Sequence, residues 1–172
     1  MGISAQDCVA SLLESEAPAR LLLIGECGPD AQVAADTQAP SAAPPAGDSE
    51  SRQGEIEITR VSATDALDTL ATLGRFDFAV VCDLLEQVDE STAEAVLGRL
   101  KNLHTDKFLL LADPTRSCLG REALLALALA PFERLDDGRI AWRYDIDEYN
   151  PERRWNNPDD WAHPENFQRF RW

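Results

Sequence analysis

The chain has 172 residues and a formal net charge of −15, with 31 Asp and Glu against 16 Lys and Arg. That length suits one ordinary domain with room for a core. The charge excludes nucleic acid and anionic membrane surfaces as partners, because both require Lys/Arg-rich faces. No run approaches the ~20 apolar residues that span a bilayer. The start of the chain lacks the basic and long apolar regions of a secretory signal. Cys8, Cys27, Cys82 and Cys118 are scattered, without CxxC spacing or nearby His partners. The expectation is therefore reduced thiols, no metal site and a cytoplasmic protein.

In chain order, Ser4 caps a helix over Ala5–Glu16, with Cys8, Val9, Leu12 and Leu13 on one face and Pro18 as the stop. Arg20 to Gly25 is a compact apolar run that reads as a central strand. Glu26-Cys27-Gly28-Pro29-Asp30 is the turn leaving it. From about Ala34 to Gly54 the chain is rich in Ala, Pro and Ser and lacks large apolar residues. It cannot repay the entropy of ordering and is expected as a flexible surface loop.

Glu55 to Val61 alternates as a strand with one wet face does, and a short helix over Thr64–Leu73 follows, with Gly74 as its C-terminal cap. Phe76 to Cys82 is an apolar run that stops at Asp83 and leads into Leu84-Leu85-Glu86-Gln87. Ser91-Thr92-Ala93-Glu94 has capping-box spacing, and Ala93, Val96, Leu97, Leu100 and Leu103 form a core-facing stripe ending near His104. Lys107 to Ala112 is a further buried strand closed by Asp113-Pro114. Leu119–Ala130 is apolar nearly all round and reads as a buried helix ended by Pro131. Asp137-Gly138 between Phe132–Leu135 and Arg139–Tyr144 signals a β-hairpin. Strands alternating with helices and closing in a hairpin describe an open, mostly parallel α/β sheet covered on both faces.

The stretch Phe76-Asp77-Phe78-Ala79-Val80-Val81-Cys82-Asp83-Leu84-Leu85-Glu86-Gln87-Val88-Asp89 resembles the fourth strand and following loop of class I S-adenosylmethionine-dependent methyltransferases. The similarity extends over roughly Leu21 to Asp147, and small bacterial members are nearest in character. It implies a Rossmann-like, methyltransferase-type sheet in which the first and fourth strands are neighbours and ligands bind beyond their carboxyl ends. It also implies where a cofactor would be held. Gly25, Glu26 and Gly28 stand at the family's Gly-rich turn, Asp65 at its adenine-side acid, and Asp83 and Glu86 at the end of the fourth strand.

Several of these positions depart from the family pattern. Leu23 occupies the acidic position of the first strand, and Cys27 and Pro29 interrupt the turn where glycines allow close approach. The second strand's ribose-binding carboxylate falls in the Pro/Ala/Ser loop, so one βα unit is expected to be shortened or lost. Asp65 serves equally as a first-turn acid that complements a helix dipole. Glu86-Gln87 replaces the common Glu-His, and His104 reads as a helix-terminal cation or surface residue. The resulting expectation is a methyltransferase-like domain without a bound cofactor, in a binding or regulatory role. The alternative is an active enzyme using S-adenosylmethionine on an unknown acceptor. On either reading Cys27 and Cys82 are expected close together as reduced thiols.

Residues 1–147 are thus read as the α/β domain and 148–172 as a tail packed on it. The tail carries Trp155, Trp161, Phe167 and Trp172, and Asn157-Pro158-x-x-Trp161 is echoed by His163-Pro164-x-x-Phe167. These rings form either a latch on the chain's own domain or an anchor for a protein partner, a second copy included.

Overall fold

The computed structural model describes residues 3–26 and 56–149. The expected loop over 34–54, Cys27, Gly28 and the aromatic tail from residue 150 onward lie outside the described residues.

Among the described residues six strands form one sheet: β1 (Arg20–Ile24), β2 (Glu57–Val61), β3 (Phe78–Cys82), β4 (Lys107–Ala112), β5 (Ala130–Arg134) and β6 (Ile140–Asp145). Their order is β2-β1-β3-β4-β6-β5. β2, β1, β3 and β4 pair in parallel, while β6 runs antiparallel to β4 and β5. The mostly parallel open sheet with a terminal hairpin is the architecture expected, and β1 and β3 are neighbours as the resemblance implied. A strand does sit beside β1 on its other side. It is Glu57–Val61, and among the described residues this half of the sheet has that one strand with a brief helix after it.

β3 lies at the centre because all five of its residues are fully buried, as a strand covered on both faces requires. Phe78, Val80 and Cys82 face α1 (Ala5–Glu16), and Ala79 and Val81 face the opposite layer. Burying Phe78, Val80 and Val81 contributes roughly 1.5–3 kcal/mol each. The opposite layer is built from α2 (Ala66–Leu70), α3 (Leu84–Gln87), α4 (Glu90–Arg99) and α5 (Arg121–Ala126). A last turn, α6 (Ile146–Tyr149), follows β6.

Helix α1 has the expected bounds. The Ser4 hydroxyl accepts from the Asp7 N–H, and the helix closes where Ala17, in the left-handed region, donates to the Leu13 carbonyl. The other helices differ from expectation, each for a local reason. α2 stops at Leu70 with Ala71 as its cap, so Gly74 is not a cap residue. Asp89, not Ser91, caps α4; its carboxylate accepts from the Thr92 N–H at 3.1 Å and the Thr92 hydroxyl at 2.8 Å. Those bonds hold its carboxyl down to about 2.

Beyond α4, residues Leu100–His104 form a π turn, closed by the Thr105 N–H on the Leu100 carbonyl at 3.0 Å. A π turn bonds i to i+5 and so carries an extra residue past the core. The predicted stripe holds through Leu100, but Leu103 swings out to 59% exposure while His104 turns in to 4%. His104 is therefore at the end of the helix, as one of its two readings had it, but buried and not on the surface. Its Nδ1 lies 2.9 Å from the Gly74 carbonyl oxygen.

The expected long buried helix over Leu119–Ala130 is only six residues, with Leu124 buried and Leu125 exposed. Ala130 and Pro131 instead begin β5, the outermost strand, which is exposed throughout. Pro131 has no N–H to offer a further strand, and the register shifts between Pro131 and Glu133. Gly138, at φ 90°, makes the hairpin turn that Asp-Gly predicted. No helix among the described residues is long and apolar enough to cross a membrane.

Candidate functional site

The carboxyl ends of β2, β1, β3 and β4 meet at one edge, and four of the predicted site residues lie along it. Gly25 follows β1 and donates its N–H to the Val61 carbonyl of β2 at 2.9 Å. It has φ 78°, a region where a side chain is strained. A β-carbon there would collide with the Cys82 carbonyl oxygen of β3 and touch the Ala63 methyl. Gly25 is thus a spacer between three strands, and main chain occupies the place a side chain would take. Cys82 is fully buried and disulfide-bonded, which corrects the expectation of a reduced thiol. Glu26, which follows Gly25, is exposed.

Asp83 leaves β3 in the left-handed conformation, φ 55°, and starts α3 without capping it. Asp and Asn tolerate this region better than other side chains. The turn sends α3 back over the edge and puts Glu86 against β4. There Glu86 Oε1 accepts the Asp113 N–H at 2.6 Å, while its other oxygen is buried without a hydrogen-bond partner among the described residues. Glu86 therefore fastens the end of β4 to α3. Asp65, placed with these acids by the sequence, precedes α2 on the far side of β1 from Asp83. It is exposed and makes no capping bond. Gly28 falls outside the described residues.

Two residues at this edge were not singled out from sequence. Asp113 closes β4, and its Oδ1 accepts from the Thr115 hydroxyl at 2.7 Å and the Thr115 N–H at 2.8 Å. Those bonds hold its carboxyl below the usual carboxylate range. Arg139 precedes β6, whose first residue pairs with Ala112, so it stands level with Asp113. Its Nε and Nη2 lie 2.8 and 2.7 Å from Asp137 Oδ2. That contact holds the Asp137 carboxyl down and the guanidinium up, helped by the charges of Asp83 and Glu86. The signals available were the Asp-Pro stop and the cation after an Asp-Gly turn.

Cys118 completes the neighbourhood by donating its N–H to the Leu85 carbonyl at 2.8 Å. Burial pushes its thiol up, and Glu86, Glu90 and Asp89 push the same way. A thiol so placed stays protonated and is a poor nucleophile. Among the described residues no group of three or more His, Cys, Asp and Glu is arranged to hold a metal.

Sheet order and strand directions together define a Rossmann-like fold of the methyltransferase type. The chain belongs to the family of unknown function DUF6231, whose model matches residues 3–172. No curated protein matches it. Among solved structures it is similar to the N-terminal domain of EvdMO1, crystallised in the presence of SAH and D-fucose, at 18% identity. That match covers 83% of this chain and 82% of the other, with a TM-score of 0.50. It is also similar to the methyltransferase domain of bacterial CtHen1, at 11% identity over 80% of this chain and 95% of that one, with a TM-score of 0.48.

Among the described residues at this edge, three features depart from the pattern that the resemblance implied. Leu23, half-buried, stands in place of the first strand's acid. Ser62, not a carboxylate, follows the strand beside β1, and its hydroxyl is spent on Thr64 at 2.9 Å. The space beside Gly25 holds the Cys82 carbonyl.

Proposed function

We propose that this is a methyltransferase-type domain that serves a binding or regulatory role without transferring a methyl group. The observation that carries the reading is the packing of Gly25 on the Cys82 carbonyl. A glycine kept for close ligand approach faces open space, whereas this one accommodates the chain's own backbone. The commitment of Glu86 to the Asp113 N–H supports the same reading, because that carboxylate is already engaged within the protein. The aromatic residues Trp155, Trp161, Phe167 and Trp172 are the proposed anchor for a protein partner, since Trp and neighbouring Arg dominate binding hot spots. Calorimetric titration of S-adenosylmethionine into the purified protein tests the proposal. No heat of binding is expected, and micromolar affinity would overturn it.

A second reading, an active methyltransferase on an unknown acceptor, is favoured by the exposed carboxylates of Glu26 and Asp65 near Gly25. On that reading Gly25, Glu26, Gly28, Asp65, Asp83 and Glu86 hold S-adenosylmethionine. Loss of measurable cofactor binding in Asp65→Ala, with the fold retained, distinguishes it from the first.

A further inference from the structure

At the opposite edge, beneath the amino ends of β1, β3 and β4, lies a cavity of about 480 Å³. That volume is within the range of about 300–1,000 Å³ typical of small-molecule sites. Its lining carries both signs of charge: Arg20, Arg75 and Lys107 converge there with Glu16, Asp77, Asp106 and Asp147, and Glu16 already holds Lys107 at 3.3 Å.

Hydrogen-bond accounting separates the committed groups from the available ones. Arg20 is fixed by three contacts: its Nε on Glu57 at 3.2 Å, its Nη1 on the Arg75 carbonyl at 2.7 Å, and its guanidinium over the Phe76 ring at 5.2 Å. Its Nη2 has no hydrogen-bond partner among the described residues. Arg75 uses Nη2 on Asp106 Oδ1 at 2.8 Å and keeps the donors of Nε and Nη1. On the acidic side, Asp77 Oδ2 accepts the Ala19 and Arg20 N–H groups at 2.9 and 2.8 Å, leaving Oδ1. Asp106 keeps Oδ2, and Asp147 reaches Lys107 only at 3.8 Å. Guanidinium donors and carboxylate oxygens without a partner among the described residues therefore belong to side chains that line the same cavity.

That pairing selects the ligand. A bare anion meets the carboxylates and a bare cation meets the guanidinium groups, and each like-charge approach is costly. A molecule carrying both signs satisfies both sets. We propose that this cavity binds a small zwitterion of the α-amino-acid class, its carboxylate on Arg20 and Arg75 and its ammonium on Asp77 and Asp106. Ile146, on the rim and 37% exposed, offers apolar surface to a side chain. Because Arg20 and Asp77 are already held in place by the fold, binding loses little of their freedom.

The experiment is saturation-transfer NMR on the full chain with the twenty common L-amino acids. Each binder is then compared with its amide, which lacks the carboxylate, and its N-acetyl derivative, which lacks the ammonium. At least one amino acid is expected to bind, with both derivatives weakened tenfold or more. Arg75→Ala is expected to weaken binding by a similar factor, while Glu94→Ala, exposed on α4, leaves it unchanged. Arg75 is exposed, so its substitution leaves the fold intact, as circular dichroism can verify. The inference is overturned if no amino acid binds, if the derivatives bind as well as the parent, or if Arg75→Ala has no effect.

Discussion

The Cys82 carbonyl oxygen fills the space that a side chain on Gly25 would need. This relationship joins the end of β1 to the end of β3 and accounts for a glycine that sequence alone assigns to a cofactor turn. Gly25→Ala adds a methyl group both in a left-handed conformation and against main chain that cannot retreat. A loss of about 2–4 kcal/mol is expected, from the conformational cost and the overpacking together. Urea denaturation measures it; a loss below 1 kcal/mol would mean that the strand ends are not so tightly apposed.

Asp77 performs the matching task at the amino end. Its carboxylate receives the N–H groups of both Ala19 and Arg20, and its own N–H donates to the Arg20 carbonyl at 3.0 Å. Asp77→Ala leaves the two donors to solvent and is expected to cost about 1–3 kcal/mol. Asp77→Asn keeps a neutral acceptor oxygen and should cost less. Equal losses in the two variants would indicate that the negative charge, and not an acceptor oxygen alone, carries the contribution.

The π turn gives a pair of opposite expectations on one helix. Leu100→Ala, at a fully buried position, should cost about 2–5 kcal/mol. Leu103→Ser, three residues on and largely exposed, should change stability by no more than about 0.5 kcal/mol. Similar costs at the two sites would restore the continuous α-helical stripe.

Asp145 links acid to stability. Burial raises its pKa, but the Asp147 N–H and the charges of Lys107 and Arg143 outweigh burial and hold it below the ordinary value. A carboxyl that ionises more readily folded than unfolded stabilises the fold above its unfolded pKa, about 3.9. That contribution disappears as pH falls through the lower, folded value. Thermal unfolding from pH 7 downward should show stability falling below about pH 4. Asp145→Asn should be less stable at neutral pH and flatter over the acid range.

Cysteine chemistry provides a chemical check. Peptide mapping without reductant should recover the Cys82 peptide cross-linked and the Cys8 and Cys118 peptides as free thiols. A Cys82 peptide recovered as a free thiol would reinstate the original expectation.

The sheet was largely legible because its signals are short and local. Leu21 to Ile24, Ala79 to Cys82 and Phe108 to Ala112 are unbroken apolar runs, and Asp137-Gly138 permits few turns. The helices were less legible because their ends depend on tertiary contacts. Asp89 outcompetes Ser91 as the cap, and an extra residue in the turn at Leu100–His104 exchanges Leu103 for His104. The apolar run from Leu119 was divided between a short helix and β5, a partition that periodicity alone does not indicate. At the candidate site, Gly25, Asp83 and Glu86 were placed on the correct edge by strand order. Their partners were not visible, because the Cys82 carbonyl and the Asp113 N–H are backbone atoms that every sequence possesses.

The outer strand β5 has a bearing on how molecules of this protein meet one another. A neighbour attempting to extend the sheet there finds a proline without a donor and a ladder thrown out of step after it. Crowded solutions should therefore not template fibrils from that border.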